Sequence, residues 1–202
     1  MELVGTKWRT LVDGVRLGPR EYRVVRPARP MTASVCESWH GAEMEVDKAS
    51  ALGLATAWML AARSPRSLVH LPLRAGRPAG ERWLDLLLVH HSLAFPASRW
   101  KSVRARLGTG ARGKVVFPEG GLPDDVDWTP SHWREHRDDL RGAVAAETLV
   151  ITGSRKGFES TGHGLRLLAE EGPGDLARWP DLHCCAEIPV EKFGQLHVVF
   201  VR

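Results

Sequence analysis

The most constraining feature of the chain is an uninterrupted apolar run, LLLV, at positions 86–89. Successive side chains of a β-strand point to opposite faces of its sheet, so a strand without a polar residue in this run has to be buried on both faces. The run therefore predicts a central strand, Trp83–His90, that other elements cover on each side. The segment Ala49–Ala62, which follows the capping residue Asp47, predicts a buried helix that can provide one cover.

Shorter β-prone and helical segments surround these two elements and indicate the fold class. The predicted strands are Trp8–Val12, Tyr22–Val25, Ala33–Ser38, Leu68–Leu73, Lys114–Phe117, Glu147–Thr152, His183–Ile188 and His197–Val201. The further predicted helices are Pro96–Leu107, Ser131–Leu140 and Gly164–Glu171. These elements predict an α+β fold, a single domain with a mixed, mostly antiparallel sheet flanked by helices.

Charge is distributed unevenly along the chain. The 202 residues carry 28 Lys and Arg against 24 Asp and Glu, a formal net charge of +4. Residues 1–118 hold 19 basic and 9 acidic side chains, whereas residues 119–202 hold 9 basic and 15 acidic ones. Within one domain over residues 1–202 we expect a basic lobe over 1–118 and an acidic lobe over 119–202. Their seam is predicted in the loop near 118–130, which is rich in Asp, Gly and Pro.

Composition excludes several classes of protein. A hydrophobic content of 43% with eight Trp is too apolar for a disordered chain, and no stretch approaches the roughly 20 apolar residues of a membrane helix. The first residues lack the continuous apolar region of a secretory signal. Three Cys without framework spacing favour reduced thiols. We therefore expect a cytoplasmic protein without a membrane partner, and the excess of Arg over Lys is typical of a GC-rich bacterial genome.

Two arginine-rich rows indicate a phosphate-rich ligand. The first row consists of Arg99, Lys101, Arg104, Arg106, Arg112 and Lys114. The second row lies on the N-terminal strands and consists of Arg16, Arg20, Arg23, Arg26 and Arg29. Because such side chains neutralise phosphates, the rows predict binding of nucleic acid or a nucleotide. The alternative is that they dock onto the acidic half of this chain or of a second copy, which would make the protein a non-catalytic interaction subunit.

Two adjacent histidines end the predicted central strand. Open sheets place ligands beyond the carboxyl ends of their strands, where His90 or His91 could act as a base. Alternation points the two side chains to opposite faces, so only one of them can line a given site. A second histidine, for example His70 on the neighbouring predicted strand, would supply an acid. His90 and His91 are therefore the candidate catalytic residues for metal-independent phosphodiester chemistry.

A glycine turn that follows the strand Glu147–Thr152 is a second candidate anion site. Free backbone N–H groups at Gly153, Ser154 and Arg155 could bind an anion at the start of a helix. The run Thr-Gly-Ser-Arg at 152–155 resembles the first turn of some Rossmann-like nucleotide-binding domains. That resemblance implies a nucleotide phosphate at this turn.

The run His-Trp-Arg-Glu-His at 132–136 resembles the H-x-x-E-H motif of inverted zinc metallopeptidases. The resemblance implies that His132 and His136 bind zinc from one helix face while Glu135 polarises a water. A zinc-dependent hydrolase is therefore an alternative function. No third ligand can be assigned from the sequence, so we predict no bound metal and no other cofactor, and whether the chain is an enzyme stays open.

Overall fold

The computed structural model describes residues 3–78, 80–132, 135–179 and 182–201, without the side chains of Pro130 and His132. The strands in these residues are β1 (Lys7–Leu17), β2 (Arg20–Pro27), β3 (Ser34–Ser38), β4 (Gly41–Val46), β5 (Ser67–Leu71), β6 (Asp85–His90), β7 (Ala111–Val116), β8 (Arg141–Val144), β9 (Thr148–Gly153), β10 (Cys185–Val190) and β11 (Gly194–Phe200). The α-helices are α1 (Lys48–Arg63), α2 (Trp100–Arg104), α3 (Arg155–Glu170) and α4 (Gly172–Arg178).

The larger sheet has seven strands in the order β7-β1-β2-β5-β6-β9-β8. The pairs β2–β5 and β6–β9 are parallel, and the other four pairs are antiparallel. The strands β8 and β9 come from the acidic half of the sequence and extend a sheet that the basic half begins. The two halves of the chain therefore share one sheet.

The central strand β6 is buried on both faces. Leu86 and Leu88 pack in one core with α1, whereas Leu87 and Val89 pack in a second core. The second core contains Trp100 of α2, whose indole N–H donates to the Thr148 hydroxyl at 2.9 Å. The prediction from the apolar run is confirmed, and with it the α+β fold and its mixed, mostly antiparallel arrangement flanked by helices.

The smaller sheet has four strands in the order β10-β11-β4-β3, with β11 and β4 parallel. Its inner face contributes Met44, Ile188 and Val198 to the same core as α1. The helices α1 and α3 pack on each other, on the larger sheet and on this inner face. The two helices therefore form a layer between the larger and the smaller sheet.

Helix α1 begins and ends where its capping signals lie. The Asp47 carboxylate accepts from the Ser50 N–H at 2.7 Å, and the Ser64 N–H closes the last turn on Leu60 at 2.8 Å. The predicted helix is therefore confirmed and is one residue longer at each end. No helix in the described residues has the length and apolar character needed to cross a membrane.

Other elements differ from the prediction. The predicted helix over Ser131–Leu140 is wrong for the described residues, because only a 3-10 turn forms at Thr129–His132 and residues 135–140 have no helix. The predicted helix over Pro96–Leu107 shortens to a 3-10 turn followed by α2. Strands β4 and β8 and helix α4 are additional to the predicted elements.

Candidate functional site

Two adjoining hollows, with volumes of about 410 and 610 Å³, lie where β1 runs past the end of β2. Arg9 and Arg29 line both of them, Lys7 lines the first and Arg112 lines the second. We call the two hollows together the cationic cleft. No carboxylate lines either hollow within the part of the chain that the structure describes.

The pairing of β1 with β7 brings the cations of the cleft together. Arg9 lies directly opposite Lys114, and Leu11 lies opposite Arg112. Side chains at directly opposed and diagonal positions share one face, and like charges at these positions repel. Among the described residues, Arg9, Arg112 and Lys114 have no ion pair that would relieve this repulsion. A bound anion would relieve it.

The turn before β7 needs glycine at position 110. Gly110 has a φ of +69°, in the left-handed region that favours glycine. A Cβ at this position would also lie only 2.9 Å from the Cβ of Leu11. The turn therefore lies tightly against β1 and leads into β7 at Ala111, one residue before Arg112.

The cations of the predicted rows that lie outside the cleft have partners within the fold in several cases. Arg26 Nε lies 3.0 Å from Asp13 Oδ2, and Arg23 Nη1 donates to Ser67 Oγ at 2.7 Å. Arg106 Nη1 donates to the Arg16 carbonyl at 2.7 Å. These side chains tie strands and loops together. Arg99 and Lys101 are exposed and do not line the cleft.

Arg104 belongs to a buried network around Asp85, the first residue of β6. Its Nη1 lies 3.4 Å from Asp85 Oδ2 and donates to the Ala146 carbonyl at 2.8 Å. The other Asp85 oxygen accepts from the Leu73 N–H at 2.9 Å. Arg104 is therefore half-buried and held by a carboxylate of the fold, so it is not available to a ligand.

The charge state of this network follows from burial and proximity. Burial lowers the pKa of His70 below its ordinary value of 6.5, although Asp85 lies 3.7 Å from its Nε2. Burial acts to raise the pKa of Asp85, but the nearby His70 ring and backbone N–H groups outweigh it and hold the pKa below 3.8. At neutral pH the network contains a neutral His70 and an ionised Asp85, which is charge-paired with Arg104 and with Arg74 at 3.3 Å.

His90 and the glycine turn lie next to each other, because β6 and β9 are parallel neighbours in the larger sheet. His90 lies opposite Gly153, and its Nδ1 lies 2.8 Å from the Ser92 hydroxyl. Burial, together with the adjacent exposed His91, lowers the pKa of His90, so the ring is neutral at neutral pH. His90 Nδ1 also accepts from the Ser92 backbone N–H at 3.3 Å, which caps the short 3-10 turn that begins at His91.

At the glycine turn, groups of the protein itself already take the positions at which an anion would bind. The Ser154 hydroxyl accepts from the Gly157 N–H at 3.0 Å and donates to Asp138 Oδ1 at 2.6 Å. Arg155 pairs with Glu159 at 2.8 Å. A carboxylate thus already lies at the start of α3, where the resemblance implies a nucleotide phosphate.

The candidate catalytic histidines and the cationic cleft lie far apart in the larger sheet. Three strands, β1, β2 and β5, separate β7 from β6. Four steps of about 4.8 Å between neighbouring strands give roughly 19 Å from Arg112 to His90. One phosphate could not contact both residues.

The zinc motif lies only partly within the described residues. Trp133 and Arg134 lie outside the described residues, as does the side chain of His132. Glu135 and His136 follow them without helical structure, and His136 Nε2 lies 3.4 Å from Asp139 Oδ1. Histidines four residues apart share a face on a helix, and the described residues 135 and 136 are not helical.

The chain matches no family model, no curated protein and no solved structure. Its functional assignment therefore depends on the geometry described above. Of the cleft cations, sequence reasoning identified Arg29 and Arg112, together with the neighbouring Lys114, and missed Lys7 and Arg9. The signal for the missed pair was the alternation Lys7-Trp8-Arg9, which repeats the spacing of Arg112 and Lys114 on a second predicted strand.

Proposed function

We propose that the protein binds the phosphate backbone of a nucleic acid in the cationic cleft. The observation that carries the proposal is the lining itself, four cationic side chains without a carboxylate among the described lining residues. The lining cations are Lys7, Arg9, Arg29 and Arg112. Neutralising phosphates with such side chains releases counterions from the nucleic acid and favours binding.

The arrangement of the cations supports a chain of phosphates over a single small anion. Arg112 and Lys114 alternate along β7, so they are about 7 Å apart on one face. Trp8 also lines the first hollow, but it alternates with Lys7 and Arg9 along β1 and packs against the core around α1. A positively charged groove that follows the backbone is typical of sites for single-stranded nucleic acid. A single-stranded ligand is therefore the form that we propose.

The ligand is held by side chains in this proposal and not by the start of helix α1. Ala49 and Ser50 line the first hollow, but the Asp47 carboxylate already caps the helix. A carboxylate at this position offsets the partial positive charge of the helix N-terminus. The affinity should therefore respond to substitution of the cleft arginines.

The direct test is fluorescence anisotropy with labelled single-stranded DNA and RNA of mixed sequence over a range of salt concentrations. If each of the four lining cations neutralises one phosphate, log affinity should fall against log salt with a slope of about −3, since single strands give roughly −0.7 per phosphate. No binding at low salt would refute the proposal. Displacement of the oligonucleotide by equimolar ATP would indicate a nucleotide site instead.

A matched pair of double variants tests whether the nucleic acid binds in the cationic cleft. Arg9→Glu with Arg112→Glu should abolish binding at physiological salt. Arg16→Glu with Arg20→Glu changes the net charge equally, on exposed residues of the same sheet. Arg16 lies seven residues along β1 from Arg9, about 24 Å away. Equal losses in both double variants would contradict a local cleft and indicate only general attraction to a basic surface.

A further inference from the structure

Three side chains with metal-ligating atoms meet on the outer surface of the smaller sheet. They are His183, which precedes β10, Cys185, the first residue of β10, and His197 of β11. One ligand atom from each lies within 4.8 Å of the other two. His183 and Cys185 are exposed and His197 is half-buried, so a cation could reach all three from solvent.

The strands explain why these residues share a surface. Burial alternates along β10, so Cys185 points outward and the preceding Cys184 is buried against the core. His183 lies two residues before Cys185, which is the spacing that returns a side chain to the same face. His197 lies on the neighbouring strand β11, directly opposite Glu187, two residues beyond Cys185.

The distance between the two imidazoles matches tetrahedral coordination. His183 Nε2 lies 3.3 Å from His197 Nε2. Two nitrogens bound to one tetrahedral zinc, each at 2.0–2.1 Å, are separated by roughly 3.3–3.4 Å. The Cys185 Sγ lies within 4.8 Å of both nitrogens and offers the third corner.

The surroundings favour a cation over an anion. Glu187 and Glu43 lie opposite His197 on the two strands that flank β11. Glu45 is exposed on the same face of β4, two residues beyond Glu43. Carboxylates near ligating histidines attract the cation and can orient the rings through the nitrogens that do not bind metal.

We propose that His183, Cys185 and His197 form a binding site for a divalent cation of the zinc class. Imidazole and thiolate ligands together select borderline and soft ions over magnesium or calcium. Three protein ligands leave the fourth tetrahedral position open to water, as in catalytic zinc sites. The site is independent of residues 132–136 and of the cationic cleft.

The test uses the full chain, expressed without a polyhistidine tag and freed of metal by a chelator. Calorimetric titration with Zn²⁺ should show one ion per chain, and Co²⁺ should give the absorption bands of a tetrahedral thiolate complex. His183→Ala and His197→Ala should each lower the zinc affinity by at least about 100-fold, the upper end of the loss caused by an outer-shell partner. Cys185→Ser should remove the thiolate bands.

Two control variants separate the site from general binding by Cys and His. Cys36→Ser removes the free thiol of β3, and His163→Gln removes an imidazole of α3 that contacts the Pro123 carbonyl. Both controls should keep the stoichiometry and the affinity of the unaltered chain. The proposal is overturned if the unaltered chain binds no zinc, or if the control variants lose as much affinity as His183→Ala and His197→Ala.

Discussion

Arg104 and Arg112 belong to one arginine-rich stretch of sequence, yet they have opposite environments. Arg104 lies against the buried Asp85 carboxylate, with Nη1 3.4 Å from Oδ2. Arg112 is exposed on β7 and lines a hollow without a carboxylate among its described lining residues. The difference teaches that a row of cations in a sequence is not yet a surface. A carboxylate within reach on a neighbouring element decides whether each cation is structural or available.

The same contrast occurs in the second row. Arg26 pairs with Asp13 at 3.0 Å on the adjacent strand, whereas Arg29, just beyond the end of β2, lines the cationic cleft. In both rows the residue nearer to the middle of the sheet has an internal partner. Substitutions can therefore separate the structural cations from the available ones.

The largest effect is expected from Asp85→Ala. This change removes the buried carboxylate that pairs with Arg104 and accepts from the Leu73 N–H, and removing one partner of a buried pair typically costs about 3–5 kcal/mol of unfolding free energy. Chemical denaturation monitored by tryptophan fluorescence measures the loss. Glu147→Ala is the control, because Glu147 contacts the same arginine at 3.7 Å but is 62% exposed, and it should cost less than about 1 kcal/mol. Equal losses would show that the network is not held by Asp85.

A smaller effect separates the two arginines themselves. Arg104→Ala should destabilise the protein by about 1.5–3 kcal/mol, the usual value for hydrogen bonds of a charged group. Arg112→Ala should change the unfolding free energy by no more than about 0.5 kcal/mol, as is usual for an exposed side chain. Both are measured by the same denaturation experiment. A clear loss of unfolding free energy in Arg112→Ala would contradict the proposal that Arg112 serves ligand binding and not stability.

The pH dependence of stability should reveal the neutral His70. In the unfolded chain its pKa is about 6.5, and in the folded chain burial lowers it. Below pH 6.5 the unfolded chain thus binds more protons, so stability falls as the pH falls towards the folded pKa, by up to about 1.4 kcal/mol per pH unit. His70→Gln should flatten this part of the profile. His90 contributes a dependence of the same sign, which the variant keeps.

The smallest effect concerns the salt dependence of binding. Arg112→Ala should make the slope of log affinity against log salt shallower by about 0.7, one phosphate contact on a single strand. Arg106→Ala should leave the slope unchanged, because that guanidinium donates to the Arg16 carbonyl. Anisotropy titrations at several salt concentrations measure both slopes. A reduced slope in Arg106→Ala would extend the binding surface to that side chain.

Apolar runs and capping residues in the sequence allowed much of the fold to be predicted. The apolar run at 86–89 could only be a strand covered on both faces, and Asp47 marked the start of α1 within one residue. Strand β4 was missed because Ala42, Glu43, Met44 and Glu45 favour strands weakly by themselves. It forms because β3 and β11 pair with it.

The incorrect helix at 131–140 has a physical cause as well. Polar residues at 135–139 offer no apolar stripe to bury, and Asp138 instead accepts from the Ser154 hydroxyl. The cleft was only half predictable, because Arg112 and Arg9 become neighbours through the pairing of β7 with β1. The cluster His183, Cys185 and His197 likewise depends on a strand pairing that no local pattern specifies.

Strand β7 has one further consequence, since it is an edge of the larger sheet in the described residues. The unpaired backbone of an edge strand can template pairing with a second chain and so promote aggregation, and charged side chains are a common protection. Arg112 and Lys114 place this protection on β7. The charge to which we assign polyanion binding thus also keeps copies of the protein apart at low ionic strength, and this edge is least protected when a bound polyanion or concentrated salt neutralises it.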